Sequence, residues 1–103
     1  SWCPPCRAEE PRLEAAYQTY RDRGVIFVGV DIQDAPADAR ALITEFGVSY
    51  PNGPDGDQSI TRAYTIDNIP VTFFVDREGL IRRRWLGEIQ GDQLASFIGE
   101  ALR

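Results

Sequence analysis

The chain's only two cysteines stand three positions apart at its very start, in Ser1-Trp2-Cys3-Pro4-Pro5-Cys6. A dithiol at that spacing can close into a disulfide and open again. The two prolines between the sulfurs bar a helical turn before Pro4 and suit the first turn of a helix that begins there. Cys3 is then expected at a helix N-terminus, where unpaired N–H groups and the positive dipole end favour a thiolate. Redox chemistry is the leading reading. A structural zinc site needs four ligands, and with two cysteines and no histidine this chain would need dimerisation or carboxylates to build one. A purely structural disulfide is disfavoured, because so short a loop constrains the unfolded chain little. A peroxidase with one attacking cysteine stays open, although the nearby second thiol points to dithiol exchange.

The 103 residues are expected to form one domain, spanning 1–103, with a modest core. A net charge of −5 argues against nucleic acid as a partner, since phosphate binding needs a basic face. Without histidine, the carboxylates are left as proton carriers near neutral pH. No apolar run reaches the roughly 18–20 residues that a membrane span requires.

Helical spacing of Leu13, Ala16, Tyr17 and Tyr20 predicts a helix over 4–23, with Pro11 kinking it or marking its regular start and Gly24 stopping it. The apolar run Val25–Val30 reads as a buried parallel strand. Asp34 can cap a helix over 36–46 whose buried face is Ala39, Leu42, Ile43 and Phe46, and Gly47 ends it. A short strand at 48–50, a turn-rich loop at 51–56 and a short helix at 57–63 follow. Val71–Val75 and Leu80–Leu86, separated by Asp76-Arg77-Glu78-Gly79, read as a hairpin. The last helix opens at Gly91 and carries Leu94, Phe97, Ile98, Ala101 and Leu102 as its apolar stripe. Arg82-Arg83-Arg84 reads as a charged strand edge, with Trp85 in packing, and Asp55-Gly56-Asp57 lacks the ligand spacing of a calcium loop.

Taken together these elements resemble the thioredoxin fold, and more narrowly the TlpA/ResA/CcmG-like thiol–disulfide oxidoreductases of the redoxin (AhpC/TSA) superfamily. The resemblance rests on Trp2-Cys3-Pro4-Pro5-Cys6, the helix with Glu9 and Pro11, the strand at 25–31, an inserted helix–strand segment at about 36–52, and the run from Tyr64 to Asp76 that contains Ile69-Pro70. It implies an α/β thioredoxin-like fold with a central helix–strand insertion. It also implies that Cys3 is the exposed nucleophile, Cys6 the buried resolving thiol, and Ile69-Pro70 a cis step facing the dithiol and pairing with substrate backbone. Trp2 would shield the disulfide and form part of the docking surface. The family commonly has Thr where this chain has Val71, a departure that bears on substrate contacts and not on the chemistry.

Glu9 lies three residues after Cys6 and can share a helix face with the sulfurs. By spacing it is either an active-site carboxylate or a solvated first-turn glutamate. The resemblance implies the former; by the same helix geometry Glu10 is expected to be its exposed neighbour. Pro4 and Pro5 both lack an N–H, so fewer donors surround a Cys3 thiolate, which favours a reductant over a strong oxidant. The apolar strand that the family places before the dithiol, at the sheet centre, is missing here, so a fragment of a longer protein is expected.

The resemblance implies that protein thiols and disulfides are the partners, apocytochrome c or copper-delivery proteins among them, together with an upstream electron donor. It further implies an extracytoplasmic location with membrane attachment only through an N-terminal anchor, and no cofactor or metal beyond the redox-active disulfide. A peroxiredoxin-like antioxidant and a redox-inert thioredoxin-like adaptor are the alternatives.

Overall fold

The computed structural model describes residues 3–32 and 35–103. Helix α1 runs over Pro4–Tyr20, with Cys3 as its N-cap and both prolines in its opening positions, and a 3₁₀ turn at Arg21–Arg23 extends it to Gly24. It starts at Pro4 and is continuous across Pro11, so Pro11 is not its regular start. Gly24 sits at φ +80°, the left-handed conformation that ends a helix without a Cβ clash.

Strand β1 is Gly29–Asp31, shorter than the apolar run from Val25 suggests. It pairs in parallel with β2, Asn52–Pro54, which lies inside the segment expected to be loop, whereas 48–50 is not strand. A strand needs a ladder partner, and the pairing is long-range: Gly29 N–H donates to Pro51 O at 2.8 Å, and Asp55 N–H to Asp31 O at 2.9 Å. A Cβ on Gly29 would collide with the Asn52 side chain, so glycine allows this close approach. Ile26, Val28 and Val30 are exposed on alternate positions, while Val25 and Phe27 turn inward onto the core.

Helix α2, Pro36–Phe46, has the expected bounds and ends at a left-handed Gly47. Ala39, Leu42, Ile43 and Phe46 do form its inner face, but only half-buried. Its N-cap is Ala35, without a side-chain cap, and Asp34 lies outside the described residues. Helix α3 is Ser59–Ala63. Asp55 anchors it: the buried carboxylate accepts from Ile60 N, Thr61 N and Thr61 Oγ1 at 2.6–3.0 Å. These bonds, led by the Thr61 hydroxyl, hold its carboxyl below the ordinary range.

Strands β3 (Val71–Val75) and β4 (Ile81–Leu86) form the antiparallel hairpin. Asp76 Oδ1 accepts from Glu78 N and Leu80 N in its turn. Helix α4, Gly91–Leu102, opens with a reciprocal Gln90/Gln93 capping box. The core is Phe74, Ile89, Leu94 and Ile98, flanked by Leu13, Ala16, Tyr20, Trp85 and Phe97. It thus lies where α4 packs on the hairpin and on α1. Among the described residues β1–β2 and β3–β4 are separate two-stranded sheets, with no strand between them.

Candidate active site

Cys3 and Cys6 form a disulfide at the start of α1. Position explains the sulfur's environment: an N-cap side chain accepts from the second or third helical N–H. Pro5 occupies the second position and has none, so Cys6 N–H donates to Cys3 Sγ, at 3.3 Å. The exposures reverse the expectation. Cys3 is only 4% exposed, and Cys6 is half-buried. The Cys3 sulfur is held both by the disulfide and by Cys6 N–H, in a part-buried contact at the helix end. Pro4 and Pro5 are exposed, and Trp2 lies outside the described residues.

Glu9, one turn further on, is the buried residue of α1 at 5% exposure, which removes the solvated reading. Its Oε2 accepts from Ile89 N–H at 3.0 Å. Burial pushes its carboxyl up to about 7, against the lowering effect of that hydrogen bond, while Glu10 and Glu88 add repulsion. Glu10 is not simply exposed either. Tyr50 folds back over α1, and its hydroxyl donates to Glu10 Oε2 at 2.8 Å. Burial also raises the Glu10 carboxyl, with the Tyr50 bond opposing. Glu14 accepts from Ser49 N and Oγ beside it, and the rings of Tyr17, Phe27 and Tyr50 meet at 5.5–5.8 Å.

Arg12 was not singled out by sequence reasoning, although its opposite charge three residues from Glu9 on one helix face was a usable signal. Its Nη1 donates to Ile89 O at 2.9 Å and its Nη2 to Glu88 Oε2 at 2.8 Å. The peptide bond before Pro70 is cis, and Pro70 itself is buried immediately ahead of β3. Its carbonyl accepts from Gly87 N–H at 2.8 Å, so the loop over 87–90 connects Pro70 with the dithiol helix.

A family model described as the AhpC/TSA family matches residues 1–84. The chain belongs to the AhpC/TSA family. Within it, this member is similar to the thiol-disulfide oxidoreductase ResA of Bacillus anthracis, 26% identical over 98 residues that cover 95% of this chain and 57% of that one. ResA of Oceanobacillus iheyensis is 27% identical over 100 residues, covering 97% and 52%. The chain thus spans little more than half the length of these curated relatives. Among solved structures, a thiol:disulfide interchange protein of the thioredoxin family from Chlorobium tepidum matches with a TM-score of 0.91 and 26% identity, over 99% of this chain and 74% of that one. StoA from Bacillus subtilis matches with a TM-score of 0.84 and 25% identity, over 94% and 75%. The thioredoxin-like fold expected from the sequence is the fold of this AhpC/TSA member.

Proposed function

We propose that the chain carries a thiol–disulfide oxidoreductase site whose redox carrier is the Cys3–Cys6 pair itself, without a bound cofactor. The observation that supports it most is the disulfide at the N-cap of α1, with Cys3 Sγ bonded to Cys6 N–H. In the reduced state that N–H and the positive helix end stabilise a thiolate on Cys3. The thiolate attacks one sulfur of a partner disulfide, forming a mixed disulfide and expelling the partner's other sulfur as a thiolate, which takes up a proton. Cys6, deprotonated, then attacks Cys3 Sγ, so the partner leaves as a dithiol and the Cys3–Cys6 disulfide forms. Two electrons have passed to the partner, and an upstream donor restores the dithiol.

The nucleophilic role falls to Cys3 by its place at the helix end and not by exposure. Ile69 and Pro70 supply the groove for substrate backbone, and Trp2 adds to the docking surface. Glu9 modulates thiol ionisation as a neighbouring carboxylate. Because Pro4 and Pro5 offer no N–H, the pair is a reductant of protein disulfides, and a potential as high as about −120 mV would contradict this. Extracytoplasmic thiol reduction, with apocytochrome c or copper-delivery proteins as substrates, is the setting the family resemblance implies.

The test is reduction of a protein disulfide by the dithiol form. Wild type is expected to turn over, Cys3→Ser to be inert and Cys6→Ser to stall after one covalent event. Peroxide turnover by Cys6→Ser would instead indicate a peroxiredoxin-like activity, and function retained without either cysteine a redox-inert adaptor.

A further inference from the structure

Ile89 is the most buried large side chain described, and its peptide groups lie outside any helix or strand. Buried backbone N–H and C=O groups must find partners, and here both come from one face of α1. Glu9 accepts the N–H at 3.0 Å, and Arg12 donates to the carbonyl at 2.9 Å. The second arm of Arg12 holds Glu88 at 2.8 Å, and Glu88 O in turn accepts from Trp85 Nε1 at 3.2 Å. Two residues earlier, Gly87 N–H holds Pro70 O.

We propose that Arg12 is a positioning residue of the dithiol site: it fixes the Ile89 peptide against Glu9 and so joins the redox helix to the loop that holds Pro70. This rests on the reading of Glu9 as the carboxylate that modulates the dithiol. Three effects of Arg12 act in one direction on Glu9. The guanidinium aligns the donor that Glu9 accepts from, neutralises Glu88, and brings a positive charge near the carboxylate. Removing it therefore makes Glu9 bind its proton more tightly. Among the described residues, the other titratable groups that interact electrostatically with Glu9 are Glu10 on α1 and Tyr50 from the inserted segment, and neither is altered by the change.

The experiment follows the Ile89 amide resonance against pH in the oxidised protein, where no thiol titrates. It is repeated as thiol alkylation rate against pH in the reduced protein. Wild type is expected to show an amide midpoint at about 7. Arg12→Met should raise it by about one pH unit, the scale of one lost opposite charge. Arg12→Lys should fall between, because an ammonium can neutralise Glu88 but cannot donate in the fork geometry to both oxygens. Glu88→Gln should lower the midpoint, an opposite sign that a general loosening of the fold would not produce. In a Glu9→Gln background the Arg12 effect should vanish, whereas with Glu9 present the thiol curve of Arg12→Met should be displaced from that of wild type. An unmoved amide midpoint in Arg12→Lys and Glu88→Gln overturns the proposal, as does a thiol curve indifferent to Arg12. A wild-type protein that shows these shifts yet reduces no disulfide would sink the oxidoreductase reading alone.

Discussion

Replacing Glu9 by glutamine removes a charge that the fold must bury while keeping an oxygen for Ile89 N–H. The carboxyl rises from its ordinary 4.5 to about 7 on folding, so the folded state binds the proton more tightly. Between those values the native protein holds more protons than the unfolded chain, and stability must fall as pH rises across that window. At 1.36 kcal/mol per pH unit the full loss is about 3 kcal/mol, complete only above pH 7 or so. Glu9→Gln lacks this titration. It is expected to exceed wild type in stability by up to about 3 kcal/mol near pH 8 and to converge with it near pH 4. Urea unfolding of the oxidised proteins across that range measures the difference, since titrating groups not coupled to Glu9 cancel and the remainder reports Glu9 with its neighbours Glu10 and Glu88. A gap that stays constant with pH, or a wild type less stable near pH 4 than the variant by the same amount, would refute the reasoning.

The other expectations are local. Pro5→Ala adds an N–H at the second helical position, within reach of Cys3 Sγ; a charge-assisted bond of about 1.5–3 kcal/mol should raise the reduction potential by roughly 30–60 mV, measured against a glutathione buffer. Pro4→Ala adds its N–H one position too early and should change the potential far less. Tyr50→Phe leaves Glu10 without its donor and should cost about 1–2 kcal/mol in denaturant unfolding. Asp55→Ala frees the start of α3 and should accelerate amide exchange at Ile60 and Thr61 without altering the dithiol chemistry. Phe74→Ala opens the core under α4, at about 3–5 kcal/mol by thermal or urea unfolding.

Local chemistry made α1, α2, the hairpin and α4 readable, because prolines at helix starts, glycines at helix ends, the Asp76–Gly79 turn and the apolar stripe of α4 act over short sequence distances. The sheet was less legible. Val25–Val28 has the composition of a strand, yet only Gly29–Asp31 has a ladder partner, and that partner is the Pro- and Gly-rich segment that reads locally as a turn. At the site, the dithiol and Glu9 were visible in the residues as candidates, and the cis Ile69-Pro70 step was implied only by the family resemblance. The burial of Cys3 was not, since exposure is set by how the chain packs around the N-cap and not by local sequence. Nor were the Tyr50–Glu10 and Arg12–Ile89 bonds, which join residues 40 and 77 positions apart and leave no periodic trace.

The central claim is that Cys3 attacks and Cys6 resolves. Its most direct test is to mix reduced Cys6→Ser protein with a disulfide-containing protein substrate, quench with acid, and locate the covalent adduct by peptide mass spectrometry. The expected result is a mixed disulfide on Cys3 that persists because no resolving thiol remains, while Cys3→Ser forms little adduct on Cys6. Equal or preferential trapping on Cys6, or no adduct on Cys3, would contradict the account.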